Sequence, residues 1–170
     1  MKLLPYRRVV LQSPLAPDEV ARVLLDSVDP NPRWGASNRP FAGSVTPPEF
    51  RIHRTISYRN SFLPQIVGRI APDGSGSRIA MTLGLHPLVA VFVAGWLSVV
   101  GIVGIAVVLG GAATQNPIAW MPVGMFLFGC LLTMGAFSFE VRKAKQILIS
   151  LLEGTELAPD AREGPRAAYR

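Results

Sequence analysis

The spacing of apolar residues changes character three times along this chain. Residues 7–12 read as a short strand. Pro17, Asp18 and Glu19 then open a helix whose apolar stripe is Val20, Val23, Leu24 and Val28, and Asp29-Pro30 closes it. Four segments of alternating pattern follow. Phe41, Gly43 and Val45 form the first, and Phe50, Ile52 and Ile56 the second. Ile66, Gly68 and Ile70 form the third, and Ile79, Met81, Leu83 and Leu85 the fourth. A period of two marks half-buried strands. Pro47-Pro48 and Asp73-Gly74-Ser75-Gly76 mark the turns of antiparallel hairpins.

The alternation then stops. Between Arg78 and Glu140 there is no Lys, Arg, Asp or Glu. Residues 88–109 and 118–139 are apolar on every side, and each is long enough for the roughly 20 residues that cross a bilayer core. Gly110-Gly111 and Asn116-Pro117 supply the turn between them. After Glu140 a helical period returns, with Val141, Ala144, Leu148, Leu151 and Leu152 on one side and Gly154 as the stop.

The expected fold class is α+β. A small antiparallel sheet with one covering helix (1–86) precedes a transmembrane helical hairpin (87–140). A cytoplasmic amphipathic helix (141–154) continues the second span, to pack on the sheet or lie along the membrane surface, and a disordered tail (155–170) follows. No internal repeat is evident, and residues 1–13 lack the apolar core of a secretory signal.

Charge sets the expected orientation. Up to Arg78 the chain carries eleven Lys and Arg against six Asp and Glu, and Arg142, Lys143 and Lys145 follow the second apolar block. The turn between the blocks is uncharged. The positive-inside rule therefore places both flanks in the cytoplasm. Trp120 suits an outer aromatic belt, whereas Trp96 falls inside the first block and suits packing.

Four groups of residues carry candidate chemistry. Arg51, Arg69 and Arg78 fall with His53 on the polar side of the alternation, where guanidinium groups would meet anionic lipid headgroups; a solvated sheet face is the plainer reading. His86 and Glu140 bracket the apolar run, and antiparallel spans would bring them together. An interfacial hydrogen bond or salt bridge is expected there, with a proton relay as the alternative. Ala90, Ala94 and Ser98 recur every fourth residue as a helix-packing face, expected between the two spans, with oligomerisation or docking to another membrane protein as the alternative. Tyr58 to Pro64 is the most distinctive loop, a structural turn or a partner or ligand contact.

The segments ISYRNSFLP, GRI, a Gly/Ser-rich turn and LHP before the first apolar block resemble a family of uncharacterised small bacterial two-span membrane proteins. The resemblance covers about residues 41–140. It implies this architecture and a bacterial inner membrane. It carries no activity and no functional residue.

The pattern excludes more than it assigns. Cys130 stands alone in the second block, and two histidines with one cysteine make no zinc cluster. No phosphate loop or nucleophile elbow is present. Neither an enzyme nor a cofactor is expected. A net charge of +6 without a recognition motif does not make a nucleic-acid binder. The expected function is a non-enzymatic membrane-anchored interaction module or accessory subunit. The alternative is a domain that binds lipid or a small ligand at the inner leaflet. Expected partners are membrane lipid and either another membrane protein or further copies of this chain.

Overall fold

The structure, a computed structural model, describes residues 6–31, 38–56, 60–111 and 116–157. Among the described residues it has an α+β architecture with a seven-stranded sheet and three α-helices, two of them long and apolar enough to cross a membrane. The chain divides into two compact units.

One unit contains the sheet. Its strands are β1 (Tyr6–Ser13), β2 (Val28–Asp29), β3 (Phe41–Thr46), β4 (Glu49–Arg54), β5 (Gln65–Asp73), β6 (Gly76–Gly84) and β7 (Thr155–Leu157). Their order is β2-β3-β4-β5-β6-β1-β7. β2 joins β3 in parallel, and every other pairing is antiparallel.

Alternation decides which face is buried. Val9 and Leu11, Phe50 and Ile52, Ile66 and Ile70, and Ile79, Met81 and Leu83 all turn to one side and are buried. Helix α1 (Pro17–Ser27) brings Val20, Ala21 and Leu24 into the same core. Two glycines permit close approach. Gly68 lies opposite Phe50, and a Cβ there would come within 2.2 Å of the Phe50 ring. Gly43, at φ 140°, lies across from Ile52, where a Cβ would meet the Arg51 carbonyl oxygen at 2.2 Å.

One expected boundary needs correction, at the tail. Residues 141–151 continue the second apolar helix as the end of α3 (Met121–Leu151), as the amphipathic extension was expected to do. Val141, Ala144 and Leu148, with Leu152 just beyond the helix, are fully buried within the sheet's own unit. The sheet therefore has two helical segments in its core rather than one. The tail is not disordered from residue 155, because Thr155, Glu156 and Leu157 pair with Gln12, Leu11 and Val10. Ser13 helps fix this return, its hydroxyl donating to the Leu152 carbonyl at 2.6 Å. A Cβ on Gly154 would touch Leu11 at 3.5 Å. Residues 158–170 lie outside the described residues. The two-residue β2 also departs from the sequence pattern, in which Val28 ends the helical stripe.

The second unit contains helix α2 (Pro87–Leu109), a short 3-10 helix (Pro117–Trp120) and α3 as far as Glu140, together with Asn60–Leu63. α2 spans 23 residues, about 35 Å at 1.5 Å per residue. It packs antiparallel to α3. A Cβ on Gly104 would touch Val123 at 3.4 Å, one on Gly101 would press on Phe126 at 3.2 Å, and one on Gly129 would meet Trp96 at 2.4 Å. The Trp96 indole thus lies over a glycine of the neighbouring helix, which accounts for a tryptophan far from any aromatic belt.

Leu148→Ala should lower the stability of the sheet unit by about 2–5 kcal/mol, the cost of truncating a buried leucine. The check is amide exchange of the full chain in detergent. Faster exchange in β1 and β6 is the expected outcome. A helix merely resting on a surface would leave those strands unchanged.

Candidate functional site

Two arrangements of polar side chains stand out, one in each unit. In the sheet unit the uncovered face is basic. Register places Arg51 between Ser44 and Val67, and Arg69 between Glu49 and Ala80. Both arginines are exposed. Arg78 lies between Ala71 and Gln12 but is partly engaged, its Nε 3.3 Å from Asp73 Oδ2. The pairing of β1 with β6 adds Arg8, opposite Thr82, whose Nε donates to the Tyr6 hydroxyl at 3.2 Å. Arg8 was not picked out from the sequence. The inward Val9 and Leu11 imply that it faces outward, but the outward Val10 obscures that alternation.

His53 shares this face, opposite Ala42 and Gln65, and is about half buried. Burial disfavours the imidazolium and holds the group below its usual value of 6.5. His53 therefore binds a proton less readily in the folded protein than in the unfolded one. Its contribution to stability is complete above about pH 6.5 and is lost as pH falls through the lower folded value. The expected outcome is that His53→Gln shows a smaller fall in melting temperature than wild type between about pH 7.5 and 5.5. A thermal melt of the full-length protein in detergent checks it.

In the helical unit the notable group is Glu140, which is only 2% exposed. Its Oε1 accepts a hydrogen bond from Asn60 Nδ2 at 3.0 Å. Asn60 also orders its own loop. Its Oδ1 accepts the Phe62 amide at 3.0 Å, and its carbonyl accepts the Leu63 amide at 3.3 Å. The loop between β4 and β5 thus leaves the sheet, and four of its residues group with the apolar helices. A buried carboxylate needs donors, and an asparagine amide supplies one without adding a charge. Both residues are legible in the sequence as separate features, in the distinctive loop and at the end of the charge-free run. Their separation of 80 positions hid the link. Of that loop, residues 57–59 lie outside the described residues.

His86 does not pair with Glu140. Its Nδ1 accepts the Leu88 amide at 3.3 Å, so the imidazole caps the first turn of α2. The Ala90, Ala94 and Ser98 stripe lies beside the seam between α2 and α3, not on it. The seam runs through Leu97, Gly101 and Gly104, displaced by roughly 60° at 100° per residue. Ala94 and Ser98 remain exposed, and the Ser98 hydroxyl donates to the Ala94 carbonyl at 2.8 Å. Cys130 is half buried. Among the described residues no group of three His, Cys, Asp or Glu side chains could hold a metal ion.

No family model, curated protein or solved structure matches the chain.

Glu140→Leu should leave the Asn60 amide without this acceptor and cost about 1–3 kcal/mol locally. Glu140→Gln keeps an oxygen able to accept. Faster amide exchange at Phe62 and Leu63 is expected in the leucine variant, with most of the protection retained in the glutamine variant.

Proposed function

We propose that the chain is an integral membrane protein and a non-enzymatic interaction module, acting as an accessory subunit of a larger membrane assembly. In this reading α2 and the charge-free part of α3 form a transmembrane hairpin, and the sheet unit lies on one side of the bilayer. The β1–β7 pairing supports that arrangement. Strand β1 precedes both apolar helices and β7 follows them, yet they are neighbours in one sheet. Two crossings return the chain to the side it left, and the sheet requires that return. The basic flanks favour the cytoplasmic side, and the sequence resemblance favours a bacterial inner membrane.

The observation that carries the interaction role is the unused small-residue stripe. Ala94 and Ser98 are exposed although α2 already has a close-packed partner in α3. In lipid, small residues permit the close backbone approach that drives helix association. A second transmembrane surface, from another protein or another copy, fits that stripe. The test is mass spectrometry of full-length protein purified gently from native membranes, beside an Ala94→Leu, Ser98→Leu variant. A stoichiometric companion or homo-oligomer that is lost in the variant is the expected outcome. A monomer in both samples would count against the reading.

A second reading is an inner-leaflet domain that binds lipid or a small ligand. It draws on Arg51 and Arg69, exposed on the uncovered face of the sheet. It expects β4 and β5 to exchange amides more slowly in nanodiscs of anionic lipid than in zwitterionic ones, with the difference abolished in an Arg51→Glu, Arg69→Glu variant.

A further inference from the structure

Beside the loop that Asn60 orders, the surface of α2 is hollowed. A cleft of about 340 Å³ is lined by Ser61 and Phe62 from the loop and by Leu88, Val89, Phe92 and Val93 from the first turns of α2. All six residues belong to the same compact unit. We infer that this cleft is a binding site for one acyl chain of a membrane lipid, with Phe62 closing over the chain. The inference rests on the membrane reading above and goes beyond it, because it names a fixed lipid site in addition to the general lipid contact of two spanning helices.

The lining chemistry selects hydrocarbon. Five of the six side chains have no polar atom, so a headgroup, sugar or charged metabolite would enter without replacement hydrogen bonds. The volume falls at the lower end of the roughly 300–1,000 Å³ typical of small-molecule sites. The Ser61 hydroxyl is the polar exception, and Ser61 is exposed.

The surroundings select the source. Leu88 and Phe92 are 73% and 69% exposed, so the cleft opens onto the outer surface of α2 rather than into a protein core. That surface is continuous with a helix that carries no charge along its 23 residues. The material that solvates such a helix is lipid chain, and the cleft is open to it. The stripe proposed for protein docking points elsewhere. Val89 and Phe92 lie roughly 150° around the helix from Ala94 and Ser98, so both surfaces can be occupied together.

The wall is also held in place. Phe62 is fixed through its amide to Asn60 Oδ1, and Asn60 is fixed in turn to Glu140. A wall ordered before binding spares the ligand the cost of ordering it. This gives the buried Glu140 a role at a distance: it positions the loop that shapes the cleft.

The test uses the full-length protein reconstituted in phosphatidylcholine vesicles doped with a phosphatidylcholine that carries a diazirine in one acyl chain. Adducts are mapped by peptide mass spectrometry after illumination, in wild type and in Val93→Trp, which fills the cleft. The expected result is labelling at residues 61–62 and 88–93 above that of the remaining helix exterior. In Val93→Trp that excess should be lost while labelling at Leu127, Phe128 and Leu131 of α3 is retained. Even labelling of both helices, or an excess that survives Val93→Trp, overturns the site and leaves the membrane reading standing. Absence of adducts on both helices overturns the membrane reading itself.

Discussion

Two helices packed side by side bury only the strip along which they meet. In this chain the strip is narrow, set by Gly101 and Gly104 on α2 and by Gly129 on α3 under the Trp96 ring. In the most apolar stretch of either helix only 6% is buried. Each large apolar side chain moved out of water contributes about 1.5–3 kcal/mol, so an apolar surrounding would stabilise this exterior strongly. The uncharged turn and the two-residue connection of Leu85 and His86 between β6 and α2 are consistent with such a surrounding.

The sheet imposes a second condition on the chain. Its inner strand β1 is flanked by β6, made before the apolar helices, and by β7, made after them. Burial is likewise shared within the unit, by Val20 and Leu24 from α1, by Val141, Ala144 and Leu148 from the end of α3, and by Leu152 just after it. The unit cannot be completed until the chain has passed through both helices and come back. A fragment ending at residue 86 would lack four fully buried side chains and one edge of its sheet. The soluble part is thus a single folding unit interrupted by the apolar pair.

How much of this was legible in the sequence depended on the range of the interactions. Alternation at Phe50 and Ile52, Ile66 and Ile70, and Ile79, Met81 and Leu83 gave the strands and their buried face, because a period of two is a local property. Pro17 with Asp18 and Glu19 marked the start of α1 for the same reason. What the sequence leaves open or hidden is long-range. The stripe of Val141, Ala144 and Leu148 shows that a helix is amphipathic but not which surface it covers. Thr155 to Leu157 is too short to show a period, and only its pairing with β1 makes it a strand. His86 and Glu140 were joined on the expectation that antiparallel helices unite their ends. Closer partners took both: the backbone of Leu88 for one, and the amide of Asn60 for the other.

The Asn60–Glu140 contact shows why position along a chain and position in a fold carry different information. Glu140 is the first acidic residue after a long uncharged run, a place where a carboxylate is costly to bury and easy to hydrate. The fold buries it nonetheless and supplies an amide donor from a loop on the far side of α2 in sequence. That loop could have closed the β4–β5 connection tightly, as the turns at residues 47–48 and 74–75 close theirs. Instead it runs long enough to reach the helical unit. A longer connection adds little loop-closure entropy, which grows only with the logarithm of length, whereas each hydrogen bond to a buried carboxyl group contributes about 1–3 kcal/mol. The balance favours extending the loop, and the same extension places Phe62 against the first turns of α2. One hydrogen bond thereby links a charge at the end of α3 to the shape of the surface at the start of α2.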